Sequence, residues 1–184
     1  MTQFMVATNV TEYKIGFTDQ FFFDTNIWIL LFGTIANYEK KDQQAYSKFL
    51  EELLSRNGGI YITSMVISEF SNVLLRKSFK QWSGLAQNIG KDFKKDYVGT
   101  SDYKSSVGTI LILIKKILAL PIVVKVLDNL NAIDVTNIEQ NFLIADFNDS
   151  YFAEIARLNN YKIVTNDRDF QQLKGNLQII TTQI

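Results

Sequence analysis

Short apolar runs that end in small polar residues divide the chain into alternating strand and helix signals. Phe21 to Phe23 is followed at once by Asp24-Thr25-Asn26, and Ile60 to Thr63 is short and β-branched. Tyr161 to Thr165 precedes a polar turn, and Leu177 to Thr181 lies close to the end of the sequence. Runs of this length and composition predict four buried strands.

Apolar positions that recur at intervals of three and four predict helices between these strands. The predicted helices cover residues 27–38, 42–55, 64–76, 107–120 and 149–158. Residues 122–130 fit either a helix or a strand, and 133–135 are predicted to form a short strand. Because strands and helices alternate, the pattern predicts an α/β fold with three layers, α/β/α, around a mostly parallel central sheet.

A chain of 184 residues is long enough to bury one substantial core, so a single domain over residues 1–184 is predicted. Residues 1–18 carry little pattern and are predicted to be an N-terminal extension with one extended piece at Tyr13 to Ile15. Residues 78–120 are predicted to be a helical insertion.

The composition excludes several kinds of chemistry. Cysteine and histidine are both absent, which removes disulfides, thiolate metal sites, His-ligated zinc and catalytic pairs with an imidazole base. Lys plus Arg and Asp plus Glu each number 19, so the formal net charge is zero and any nucleic-acid site must be a local patch. An enzyme of this composition would use carboxylates, amines, hydroxyls or a hard cation with oxygen ligands.

The termini and the longest apolar stretch indicate no membrane segment. Residues 1–5 lack a basic region followed by an apolar core, so no secretory signal is predicted. Residues 107–127 are interrupted by Lys115-Lys116, Pro121 and Lys125, which favours a buried helix over a membrane span. The sequence therefore predicts a cytoplasmic protein.

Four acidic residues lie where parallel strands would bring them to one edge of the sheet. Asp24 and Asp167 follow strands, and Glu69 and Asp149 lie near the beginnings of helices. Asp24 could instead cap the helix that follows it, and Glu69 could be a solvated helix residue. If the four converge, their repulsion favours a bound cation, and an oxygen-only ligand set suits Mg²⁺ or Mn²⁺.

Four motifs surround these acids in order along the chain: Asp-Thr-Asn after a strand, Ser-Met-Val-Ile-Ser-Glu-Phe, an Asp-x-x-x-Ala-x-x-Ala helix and Val-Thr-Asn-Asp-x-Asp-Phe. Together they resemble the PIN domain, whose members are typically metal-dependent ribonucleases and often the toxin of a toxin–antitoxin pair. The similarity runs from about Phe21 to Thr181. The resemblance implies RNA as the substrate and an antitoxin protein as a partner.

Transferred residue by residue, the resemblance implies a catalytic quartet of Asp24, Glu69, Asp149 and Asp167. Asp24, Asp149 and Asp167 would hold Mg²⁺ or Mn²⁺, and Glu69 would contact the metal or orient the attacking water. The same transfer assigns supporting or additional roles to Asn26, Thr165 and Asp169. Asp146 is an alternative third acid, which could also cap the helix or join a second metal.

A segment rich in lysine and aromatic residues precedes the longest apolar helix. It contains Phe79, Trp82, Phe93 and Tyr97, and its candidate RNA contacts are Lys77, Lys80, Lys91, Lys94 and Lys95. Positive charge among aromatic rings can bind phosphates and stack bases. The alternative is a solvated helical hairpin whose aromatic side chains face the core.

Two functions from different classes fit these residues best. The first is a Mg²⁺- or Mn²⁺-dependent endoribonuclease, with a toxin of a toxin–antitoxin pair as its narrower form. The second is a PIN-fold module that binds RNA or protein with little catalysis. A phosphatase-like acidic pocket is disfavoured because no lysine follows a predicted strand in the required place. A homodimer is expected only from the frequency of such dimers among small domains.

Overall fold

The computed structural model describes residues 6–33, 40–128 and 130–184, with the side chain of Lys40 excepted. Six parallel strands form one sheet in the order β1-β6-β5-β2-β3-β4. Their bounds are β1 Val6–Asn9, β2 Phe21–Phe23, β3 Ile60–Ile62, β4 Val123–Lys125, β5 Lys162–Val164 and β6 Gln178–Thr181. The sheet and its surrounding helices confirm the predicted α/β fold.

The α-helices are α1 Thr25–Phe32, α2 Lys40–Arg56, α3 Ser64–Ser83, α4 Ser101–Leu118, α5 Val135–Phe142 and α6 Phe147–Asn159. Short 3-10 turns occupy Ala86–Asn88, Leu130–Ala132 and Asp169–Gln172, and a single π-helical turn occupies Phe93–Tyr97. No helix within the described ranges is both long and apolar enough to cross a membrane.

The central strand β2 consists of three phenylalanines that are all fully buried. Phe22 packs on Phe152 of α6 at a ring-centroid distance of 5.3 Å, and Phe21 packs edge-on against Phe49 of α2 at 5.5 Å. Burial on both faces is what a parallel sheet covered by helices requires, and it explains why the strand is continuously apolar. The core thus fixes the point where β2 ends and Asp24 begins.

The N-terminal region differs from its prediction. The extended piece expected at Tyr13 to Ile15 is absent, and the strand lies earlier, where Val6–Asn9 pairs in parallel with β6. The Tyr13 ring instead packs edge-on against Phe21, and its hydroxyl donates to Asp19 Oδ2 at 2.5 Å. The extension therefore adds an edge strand to the sheet.

The strand predicted at residues 133–135 is also wrong. Asp134 caps α5 by accepting a hydrogen bond from the backbone N–H of Thr136 at 2.9 Å, so the chain turns into a helix there. The ambiguous residues 122–130 contain β4, which pairs with β3. A side-chain cap satisfies an amide that would otherwise lack a partner, which explains why Asp134 begins a helix.

Several helix boundaries lie beyond those predicted. Helix α1 begins at Thr25 and ends at Phe32, and the predicted continuation over 34–38 lies outside the described residues. Helix α3 continues through Ser83, and α4 begins at Ser101 behind a Thr100 cap, so these helices include only the two ends of the lysine-rich segment, and short turns occupy its middle. The aromatic rings of that segment pack on one another, as Phe79, Trp82 and Tyr97 do at centroid distances of 5.1–6.1 Å.

Candidate active site

The sheet topology brings the four predicted acids to one edge. Asp24 directly follows β2, and Asp167 lies in the turn after β5, which is a neighbour of β2 in the sheet. Glu69 is in the second turn of α3, the helix that follows β3 on the other side of β2. Asp149 is in the first turn of α6. The carboxyl edge of a parallel sheet is where such folds place their ligand sites.

The Asp24 side chain points into the site and does not cap α1. Its carboxylate makes no cap hydrogen bond to the helix, and the residue is only 4% exposed. Thr165 at the end of β5 donates from its hydroxyl to Asp24 Oδ2 at 2.8 Å. The alternative role of the Asp24 side chain, as a cap that accepts a hydrogen bond from helix α1, is therefore wrong.

Thr165 and Asn26 connect the two strand ends through hydrogen bonds. The Thr165 hydroxyl accepts from Asn26 Nδ2 at 3.2 Å and from the backbone N–H of Asp167 at 3.0 Å. Asn26 Oδ1 accepts from the backbone N–H of Asn166 at 3.2 Å. A fully buried hydroxyl with one donor and two acceptor bonds holds the β5 turn against α1.

Glu69 is half-buried and is fixed by a side chain from α1. The Thr25 hydroxyl donates to Glu69 Oε2 at 2.9 Å. Thr25 is the residue after Asp24, so the same turn that presents one acid orients a second. This contact makes Glu69 part of the edge cluster and not a solvated helix residue.

Asp146 and Asp149 have different roles at the start of α6. Asp146 is exposed and caps the helix, because its Oδ1 accepts from the backbone N–H of Asp149 at 2.9 Å. The half-buried Asp149 side chain lies in the field of Asp24, Asp167 and Glu69. Asp169 is exposed, and its backbone N–H donates to Asp167 Oδ1 at 2.9 Å.

The acids perturb one another's protonation. The pKa of Asp24 is raised from 3.8 to about 7, mainly by burial and also by the charges of Glu69 and Asp167, while the Thr165 hydrogen bond acts to lower it. The pKa of Asp149 is raised to about 8, mainly by burial and also by repulsion from Asp24 and the other nearby acids. Carboxyl groups crowded in this way favour either protons or a cation.

The donor set fits a hard divalent cation that keeps part of its water shell. Within residues 6–33, 40–128 and 130–184, no three acidic side chains are close enough together to hold one ion directly. None of the four acids forms a salt bridge with a described lysine or arginine. Mg²⁺ commonly binds through one or two carboxylates and retains several waters, so this uncompensated acidic edge suits it.

The predicted RNA-contacting lysines lie away from these acids. Lys77 and Lys80 follow Glu69 along α3 by about 12 and 16 Å at 1.5 Å per residue. The Lys91 ammonium lies 5.3 Å from the Trp82 ring centroid and donates to Asn88 Oδ1 at 3.1 Å. Lys94 and Lys95 are exposed and belong to the π-helical turn. Their contact with RNA stays a prediction.

Sequence reasoning missed the residues that support the turn after β5. Asn166 donates from Nδ2 to Asp42 Oδ2 at 3.3 Å and accepts from the Thr182 hydroxyl at 2.6 Å. The Tyr46 hydroxyl donates to the Thr165 carbonyl at 2.6 Å and accepts from the backbone N–H of Thr182 at 3.0 Å. The only sequence signal for Asn166 was its place in a polar turn, and Tyr46 looked like an ordinary apolar helix position.

Comparison with one solved structure supports this architecture, at a TM-score of 0.54. The chain is similar in fold to the crystal structure of VapBC2 from Rickettsia felis bound to a DNA fragment from their promoter. That similarity has a TM-score of 0.54 and 19% sequence identity, over 88% of this chain and 98% of that chain. PAE2754 from Pyrobaculum aerophilum gives a TM-score of 0.48 and 11% identity, over 95% of this chain and 91% of that chain.

The family assignment rests on sequence. None of the curated proteins compared with the chain matches it. The sequence model of the PIN domain matches residues 21–176, which begin at β2 and include all four acids. Since this match covers most of the sequence, the chain belongs to the PIN domain family.

Proposed function

We propose that the protein is a divalent-metal-dependent endoribonuclease whose site is the acidic edge formed by Asp24, Glu69, Asp149 and Asp167. One observation carries the proposal. Hydrogen bonds hold the buried carboxylate of Asp24 and that of Glu69 in place, yet none of the four acids has a cationic partner among the described residues. A purely structural cluster would gain stability from such a partner, whereas a hydrolytic metal site needs the charge uncompensated.

Asp24, Asp149 and Asp167 are the residues that would hold Mg²⁺ or Mn²⁺, with no more than two of them as direct ligands and the rest bound through the water shell of the ion. When bound, the metal would supply a nucleophile at neutral pH and charge stabilisation for the phosphoryl oxygens. Thr165 keeps the Asp24 carboxylate oriented through its 2.8 Å hydrogen bond. Glu69, held by Thr25, is the group available to contact the ion or to orient the attacking water. Asn26 stabilises the turn that carries Asp167.

A toxin role with an antitoxin partner, a cytoplasmic location and a homodimer are narrower parts of this proposal. The PIN family match supports the nuclease class, because PIN domains are generally nucleases. The fold similarity to a VapBC2 structure makes the toxin form the first one to test. The toxin form would be supported if expression of the protein alone arrests growth and co-expression with the product of a neighbouring small gene relieves that arrest. Unimpaired growth on strong expression of the protein alone would count against it.

The second candidate function is an RNA- or protein-binding module that uses the same edge without cleavage. The retention of all four acids favours the nuclease, since a binding module has no need for a cluster whose mutual repulsion is unrelieved. The two functions differ in what an acid-to-amide change does to binding and to cleavage.

The discriminating experiment incubates purified protein with a mixed RNA pool in Mg²⁺, in Mn²⁺ and in EDTA. Wild type and Asp24→Asn are compared, and RNA binding is measured in parallel. The nuclease proposal predicts cutting that requires a divalent metal and is lost in the variant while RNA binding is retained. Binding by both proteins with no cutting in either metal would favour the module.

A further inference from the structure

A basic cleft lies beside the acidic edge, over β1 and β6 at the same end of the sheet. It encloses about 540 Å³. Lys41 and Lys48 line it from α2, Arg168 lines it from the turn after β5, and Thr182 lines it from the end of β6. The hydrolytic site described above uses none of these side chains.

The charge of the cleft contrasts with the neutral chain as a whole. Among the described residues, three cationic side chains line the cleft, and Asp42 is the one carboxylate that does so. Asp42 is 8% exposed and accepts a hydrogen bond from Asn166, so its charge is partly satisfied within the protein. Lys41, Lys48 and Arg168 form no salt bridge with any described acid. The cleft therefore presents positive charge that an anionic ligand can neutralise.

The two lysines and the arginine point to one extended ligand. Lys41 and Lys48 are two turns apart on α2 and so lie on the same face of the helix. Arg168 Nε donates to Gln183 Oε1 at 3.2 Å, which leaves its terminal nitrogens available. Two ammonium groups along one face of a helix, with the guanidinium group of Arg168 beside them, can bind successive phosphates of a polyanion.

The cleft is continuous with the proposed catalytic site. Asp167 belongs to the acidic edge, and the next residue, Arg168, lines the cleft. Asn166 contacts both Asp42 and Thr182 of the cleft while its backbone binds Asn26 of the site. In the sheet β6 lies beside β5 and β1 lies beside β6, so the cleft begins within two or three strand spacings of Asp24, on the order of 10–15 Å.

The remaining lining indicates recognition of a backbone and not of stacked bases. Asn9, Thr11 and Gln44 supply neutral hydrogen-bonding groups, and none of the described residues that line the cleft is aromatic. Base stacking relies mainly on aromatic platforms, whereas groups of this kind donate to phosphate oxygens and both donate to and accept from ribose hydroxyls. Asn9 ends strand β1 and Thr11 lies just after it, and both precede the family match, which begins at residue 21. This side of the cleft is therefore formed by the N-terminal strand and the turn that follows it.

We propose that this cleft binds the sugar-phosphate backbone of the RNA substrate next to the bond being cut, with Lys41, Lys48 and Arg168 contacting successive phosphates. This inference rests on the proposed nuclease function. It makes the N-terminal strand part of the substrate site.

The test measures binding without cleavage. A fluorescein-labelled single-stranded RNA of mixed sequence is titrated by anisotropy at several salt concentrations with Asp24→Asn protein as the parent. Lys48→Gln/Arg168→Gln is added to that parent, and Lys115→Gln/Lys116→Gln is the charge-matched control. The control lysines are exposed in the last turn of α4, which leads into the amino end of β4 and so lies at the opposite end of the sheet.

Each lost phosphate contact lowers the slope of log K against log salt by about 0.7 for single strands, so the cleft pair should lower it by about 1.4. The corresponding loss of affinity is roughly 10- to 30-fold at 0.1 M salt. The control pair should change both quantities little. Thermal melting checks that each variant is folded, which is expected because Lys48 and Arg168 are exposed.

Equal affinity and slope for parent and cleft variant would overturn the inference, and so would an equal loss in the control pair or a parent that binds no RNA. A separate cleavage assay on protein with intact Asp24 keeps the two proposals apart. Cutting that is unchanged by the cleft substitutions would leave the nuclease proposal standing and refute the cleft. Absence of cutting, alongside cleft-dependent binding, would refute the nuclease alone.

Discussion

Replacing Asp24 by Asn should make the metal-free protein more stable while abolishing its proposed activity. Asp24 is 4% exposed, and its pKa is raised from 3.8 to about 7 by burial and by the charges of Glu69 and Asp167. One pKa unit corresponds to about 1.4 kcal/mol, so the ionised side chain costs on the order of 4 kcal/mol at pH 8. Asn removes the charge and keeps an oxygen that can accept from Thr165.

The gain should depend on pH in a defined direction. Because the pKa of Asp24 is higher in the folded state, the folded protein binds more protons than the unfolded chain between about pH 4 and pH 7. Wild-type stability therefore falls as the pH rises through that window, and the Asn variant lacks this contribution. The difference between the two proteins should be near zero at pH 4 and complete above pH 7.

Thermal melting in EDTA from pH 5 to pH 8.5 measures this difference. For a chain of this length 1 kcal/mol shifts the Tm by about 2–4 °C, so the variant should melt about 8–16 °C higher at pH 8. Glu51→Gln, which removes an exposed charge from α2, serves as the control and should change the Tm little at any pH. A variant that melts lower than wild type at pH 8, or whose shift is the same at all pH values, would refute the repulsion argument.

Three further predictions follow from named contacts. Thr165→Val removes the donor to Asp24 and should lower the free energy of unfolding by about 1–3 kcal/mol in urea titrations. Saturating Mg²⁺, at about 100 times its Kd, should raise the free energy of unfolding of the wild type by about 2.7 kcal/mol, as measured by calorimetric melting. Asp149→Asn should reduce this gain in the same measurement. Although burial raises the pKa of Glu154, hydrogen bonds from Arg157 and other donors lower it overall. Arg157→Gln should therefore destabilise at pH 7, with a deficit that shrinks as the pH falls below the ordinary Glu value of 4.5, measured by urea unfolding at each pH.

The positions of the catalytic candidates could be predicted because their signals are local. Phe21 to Phe23 followed by Asp24 is an unbroken apolar run with an abrupt end, and the structure places that boundary at the end of the central strand. The turn after β5 has the same form. In an α/β fold such ends meet at one edge, so convergence of Asp24 and Asp167 followed from topology.

The parts that failed depend on contacts distant in sequence. Strand β1 is four residues long and half exposed, and only its pairing with β6, about 170 residues later, makes it a strand. The alternation of Ile133, Asp134 and Val135 predicts a short strand, but Asp134 is the cap of helix α5, which begins at Val135. The role of Asn166 arises from a side-chain contact with Asp42, separated from it by 124 positions in sequence. No window of the sequence contains these partners together.

The central claim is that the four acids act as one hydrolytic unit. The most direct measurement is the single-turnover rate of RNA cleavage in Mg²⁺ for Asp24→Asn, Glu69→Gln, Asp149→Asn and Asp167→Asn, with the exposed-charge change Glu51→Gln as control. Because groups that act together are strongly non-additive, each acid variant should lose at least about 100-fold, and a double variant should be little worse than a single one. Cleavage that survives these substitutions at near the wild-type rate would contradict the account.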